Sequence, residues 1–150
     1  MPALETDSLA ELIERKYACL VQLRAVGRRQ LDSVLEGGMT ELLDVLAAKQ
    51  RVLADLQRLE RALDPFRGQD PQQRRWRSPQ QRQACAAQLG QCESLLREIM
   101  AQEKESEREL IRRRDEAAAR LQGVHVASQA RGAYVGPHQP AGQLDLMSET

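Results

Sequence analysis

The chain has 150 residues with 41% hydrophobic but only 3% aromatic side chains, 29% charged residues and a formal net charge of zero. That length suits one domain, and a core with so few aromatics must be built from Leu, Ile, Val, Ala and Met, the palette of helix seams rather than sheets. Neutrality leaves no global field to draw nucleic acid or anionic lipid, and no apolar run approaches the roughly 18 residues of a membrane span.

In chain order, the first helix is expected to start at Ser8, where Ser8 and Glu11 form an S-x-x-E capping box. Leu9, Ile13, Tyr17, Leu20, Leu23, Leu31 and Val34 then recur at helical spacing. Gly37 and Gly38 interrupt the pattern, since each costs a helix interior about 1 kcal/mol relative to Ala. A turn is favoured there over a kink that would keep two helices collinear, and Thr40 is the expected cap of the second helix.

The second helix carries the clearest pattern. Leu42, Val45, Lys49, Val52, Leu56, Leu59 and Leu63 step by threes and fours, a heptad seam with one polar member. Leu46 and Leu53 widen it for more than one partner helix. Lys49 is expected to lay its stem along the seam and leave its ammonium in water. Pro65 should end this helix, and residues 66–78 read as a loop. Its Arg74, Arg75, Trp76 and Arg77 form a local basic patch, read as a solvated loop whose Trp76 folds back onto the bundle end.

The third helix restarts at Ser78 and Pro79, a cap followed by proline at the first helical position. Its stripe runs through Cys85, Leu89, Cys92, Leu96 and Ile99. The next seam positions, Glu103 and Ser106, are polar, and eleven of the fourteen residues from 103 to 116 are charged. Length points the same way. A helix over 79–122 spans roughly 65 Å, against roughly 43 Å for 8–36 and 37 Å for 40–64. The fold class is therefore an all-α, elongated, antiparallel up-and-down bundle of three long helices with coiled-coil-like packing. The bundle fills residues 1–122, with helix three extending past its partners beyond about residue 100. Residues 123–150, with four glycines and two prolines, read as a flexible, disordered C-terminal tail.

No catalytic, cofactor-binding or metal-ligating arrangement emerges. His125 and His138 lie far from any cysteine, and Cys85 and Cys92 lack the C-x2-C or H-x3-H partner of a zinc site. Seven residues apart, roughly 10 Å along one helix, those two cannot form a disulfide with each other, and their apolar face makes them buried thiols of a reducing compartment. There is no phosphate loop and no nucleophile elbow. An enzyme is not expected; protein binding is. Leu110, Ile111, Leu121 and Val124 are the expected partner-binding residues, because Leu110, Leu121 and Val124 share one helical stripe, Ile111 widens it, and no remaining segment is long enough to cover them.

Residues 35–61 resemble the FlgN-type flagellar export chaperones, in which a small-residue break precedes an L-x-x-L-x-x-x-K-x-x-L-x-x-x-L-x-x-L-E-x-x-R run. Here that run is Leu42, Val45, Lys49, Val52, Leu56, Leu59, Glu60 and, one residue early, Arg61. Ala133, Tyr134, Val135 and Gly136 are similar to the Tyr-Gly element of that family, and the likeness extends loosely over residues 9–136. It implies a cytoplasmic chaperone without cofactors. Such a chaperone holds unpolymerised hook–filament junction proteins by a C-terminal amphipathic helix and delivers them to the type III export apparatus. Neither nucleic acid nor membrane insertion enters that role. A self-associating coiled-coil scaffold subunit is the alternative from another class.

Overall fold

A computed structural model describes residues 3–135. They contain α1 (Glu5–Glu36), α2 (Met39–Arg67), a single 3-10 turn (Pro71–Gln73) and α3 (Pro79–Val135), with no strand among the described residues. The chain divides into two compact units, Met1–Glu109 and Leu110–Thr150. The first is a three-helix bundle, and the described part of the second is the C-terminal stretch of α3.

Three layers set the register of the bundle. Leu9 and Ile13 of α1 meet Leu63 of α2 and Cys85 of α3, with Phe66 and Trp76 against them. Next, Leu20 and Leu23 meet Cys92, Leu95 and Ile99, flanked by Val52, Leu53 and Leu56. Beyond these, Lys49 bridges Gln30 and Glu103. Numbers rise along α1 and α3 and fall along α2, so the helices run up, down and up. An ion pair ties each pair of helices: Lys16 to Glu60 at 2.8 Å, Arg24 to Glu98 at 2.9 Å, and Lys49 to Glu103.

The turn between α1 and α2 rests on Gly37, whose φ of 78° is left-handed and whose N–H donates to the Ser33 carbonyl at 3.0 Å. A side chain is strained in that conformation, so glycine ends α1 there. The chain reverses, and the collinear alternative is excluded.

Several boundaries differ from the sequence expectation. α1 starts at Glu5 instead of Ser8, because the Asp7 carboxylate accepts the Leu4 N–H at 3.0 Å; Ser8 is an exposed interior residue. α2 starts at Met39 with Gly38 before it, so Thr40 is not the cap. Nor does Pro65 end α2, which continues to Arg67. Proline costs a helix interior about 3 kcal/mol, but here only the last turn is affected. Continuing the turn places Phe66 beside Leu63 against the α1 residues Leu9 and Ile13. α3 begins as expected, with the Ser78 hydroxyl accepting the Gln81 N–H at 3.1 Å. It then passes Gln122 and runs through Gly123 and Gly132 to Val135. Each of those glycines weakens a helix by only about 1 kcal/mol, and the helix-breaking prolines come later, at Pro137 and Pro140. The expected flexible tail is thus helical over 123–135; its remainder, 136–150, lies outside the described residues.

Candidate functional site

The four positions expected to bind a partner fall on the second unit. Leu110, Ile111, Leu121 and Val124 all lie on α3 and are 43%, 41%, 71% and 62% exposed. Leu110 and Leu121 are eleven residues apart, three turns within about 20°, and Val124 follows one turn later, so these three share a stripe while Ile111 widens it. No residue of 110–134 is buried. Charge pairs along the helix support it: Arg112 meets Glu116 at 2.8 Å, and Arg120 meets the same carboxylate at 3.9 Å.

The polar positions expected to lie outside the bundle, starting near residue 100, belong to it up to Ser106. Ser106 is buried, and Glu103 pairs with Lys49, whose ammonium also donates to the Gln30 side-chain oxygen at 3.1 Å. Lys49 therefore does not stand in water as the sequence suggested; it joins all three helices. Gly27 lies in the same region, where a Cβ would stand 2.6 Å from the Gln102 side-chain oxygen, so the Gln102 side chain of α3 occupies the space that glycine leaves on α1.

At the opposite end of the bundle the Arg74–Arg77 segment folds back as expected. Trp76 packs on the layer of Leu9, Ile13, Leu63 and Cys85. The Arg77 guanidinium grips Asp7 in a fork, with Nε at 2.7 Å from Oδ1 and an Nη at 2.6 Å from Oδ2, and Gln81 donates to Oδ1 at 3.1 Å. These bonds, chiefly those from Arg77, hold the Asp7 carboxyl well below the usual carboxylate range. The Thr6 hydroxyl donates to the Arg75 carbonyl at 2.5 Å, and Arg74 donates to the Phe66 carbonyl at 2.7 Å. This basic run is accordingly built into the end of the bundle. Sequence reasoning missed that it borders a groove, although the proximity of Phe66 and Trp76 to so many arginines was a visible signal.

Cys19, Cys85 and Cys92 are free and buried, and burial raises the pKa of each thiol. Among the described residues no group of three His, Cys, Asp or Glu side chains could hold a metal ion, and no helix is long and apolar enough to cross a membrane. Compared with known proteins, the chain matches no family model, no curated protein and no solved structure.

Proposed function

We propose that this protein is a cytoplasmic export chaperone of the flagellar type III pathway, not an enzyme. It would bind the C-terminal amphipathic helix of a hook–filament junction protein and hand that client to the export apparatus. The observation that carries the reading is the exposed stripe of Leu110, Leu121 and Val124, widened by Ile111, on a helix already formed. The resemblance of residues 35–61 to FlgN-type chaperones supplies the client class.

A partner helix laid along this stripe would recover roughly 25 cal/mol per Å² of apolar surface taken from water. The charged residues from Arg112 to Glu116 keep the free surface soluble and steer a complementary partner.

The test is titration of the purified chain with the C-terminal helix of a hook–filament junction protein, followed by calorimetry. The reading expects one-to-one binding that Ile111→Asp with Leu121→Asp abolishes, while the melting temperature stays nearly unchanged. Absence of binding overturns it, as does capture that survives the double change. A stable oligomer of the chain alone that the same double change disperses would favour the self-associating scaffold instead.

A further inference from the structure

Where α1 begins, α2 ends and α3 begins, the bundle carries a groove of about 390 Å³. Its floor is Leu9, Ile13, Leu63, Phe66, Trp76 and Cys85, and its rim is Lys16, Arg67, Arg74 and Arg82, with no carboxylate among the lining residues. Glu60 and Asp64 stand just behind the rim, where Lys16 and Arg67 both pair with Glu60, and Arg67 also meets Asp64. Four cations against these two carboxylates leave a local positive surplus along the rim, reduced on the side of Arg74 by Glu5 and Asp70 of the adjoining hollow. The surplus sits on Arg74, which is bonded to the neutral Phe66 carbonyl and Gln69 side chain, and on Arg82, whose exposed side chain has no ion-pair partner among the described residues.

We propose that this groove is a second docking site, which takes an acidic amphipathic segment of a partner protein. One or two large apolar side chains of the segment occupy the floor over Phe66 and Trp76, and flanking carboxylates meet Arg74 and Arg82. Charge complementarity selects this occupant. An apolar floor alone would accept any hydrophobic chain, but two guanidiniums beside it favour a ligand that brings more than one carboxylate, since Arg presents a fork matched to that group. A fatty acid brings only one. Nucleic acid would need a basic domain, and this chain is neutral. The site is separate from the stripe on the second unit and does not depend on the client proposed for it.

Trp76 is the only tryptophan in the chain and lies on the groove floor, so its fluorescence reports occupancy directly. The full chain is titrated with a synthetic helical peptide of about four turns, bearing a leucine stripe flanked by glutamates and no aromatic residue. A second peptide carries lysine in place of each glutamate. The expected result is a saturable Trp76 response to the glutamate peptide, at least about tenfold tighter than to the lysine peptide and weakened by added salt. Arg82→Glu, at an exposed position outside the core, should weaken it about tenfold or more with helicity unchanged, and Ile111→Asp with Leu121→Asp should leave it intact. Equal responses to the two peptides, no response, or insensitivity to Arg82→Glu overturns the proposal. Tighter saturation by dodecanoate or by a single-stranded oligonucleotide overturns it too, as does a dimer of the chain alone that Arg82→Glu disperses.

Discussion

Replacing Lys49 with Met keeps most of the stem that lies between the helices and removes only the ammonium. The ammonium is held by Gln30 at 3.1 Å and by Glu103; the lysine side chain is 14% exposed, the glutamate 41%. Two losses follow, of unequal size. Gln30 is buried, so its side-chain oxygen is left without its donor, at a cost of about 1–3 kcal/mol. Glu103 is open enough to water to recover most of its hydration, which limits the ion-pair loss to less than about 1 kcal/mol. The expected total is about 2 kcal/mol, a large share of the roughly 5–15 kcal/mol that holds a domain together. Urea unfolding followed by Trp76 fluorescence and by helicity should therefore show a midpoint about 1 M lower with an unchanged slope, for slopes of about 1–3 kcal/mol per M. Glu103→Gln should cost less than half as much. Adding Gln30→Leu to Lys49→Met should recover part of the loss, because removing both partners leaves no buried oxygen unsatisfied. If Lys49→Met costs under about 0.5 kcal/mol, as a surface substitution does, or if Glu103→Gln costs as much as Lys49→Met, the polar layer does not hold the bundle as described.

Leu56→Asp should unfold the bundle while Glu105→Ala, at an exposed position, moves stability by under about 0.5 kcal/mol; equal melting losses would contradict the register. Asp7→Asn should lower the melting temperature at neutral pH. Because the folded Asp7 carboxyl is held well below its unfolded value of about 3.9, its stabilisation is complete above that value and fades as pH falls through the folded one. The gap between the native chain and the Asn variant should thus be constant from about pH 7 to 5 and narrow below about pH 4, and a gap independent of pH would rule out the Arg77 fork as its source. All three cysteines should react slowly with a thiol reagent in the native chain and rapidly in urea, since burial both denies access and raises each thiol pKa. Fast native labelling of Cys85 and Cys92 would mean that α3 turns a different face inward.

The heptad seam over residues 42–63 made the second helix the most legible in the sequence, yet α1 is the most deeply buried helix of the bundle. Among the buried residues of α2 are only Val45 and Leu63, whereas α1 buries Leu9, Ile13, Leu20, Leu23, Val26 and Val34 together with Cys19, Gly27, Gln30 and Ser33. Small and polar members of that second group do not register as an apolar period, so the pattern understated how completely α1 is covered by its neighbours. Similar arithmetic shifted the stripe of α3. Leu95 is buried and Leu89 exposed, although both fit a three-or-four spacing with Cys92. Periodicity finds the helix and its approximate face; choosing between adjacent leucines depends on where the neighbouring helices lie. Charge is the least legible feature of the sequence. Glu103 looked solvated in a run of charged residues, and only its cross-chain partner, fifty-four residues away at Lys49, makes it structural.

The C-terminal stretch of α3 raises a different question, because a helix with no buried residue over 110–134 draws little stability from packing there. Isolated helices of this kind are marginal in water unless local terms favour them. Here Ala117, Ala118 and Ala119 carry the best intrinsic propensity, and Arg112 and Arg120 flank Glu116 at four-residue spacing, each pair adding a few tenths of a kcal/mol. Alanine and paired charges favour the helix, while Leu110, Ile111, Leu121 and Val124 remain exposed on it. Exposed apolar residues are costly to keep in water, and a helix already formed presents them with the backbone entropy of ordering already met. A partner docking there would lose only its own freedom and that of a few side chains, which is how a short stripe can supply useful affinity.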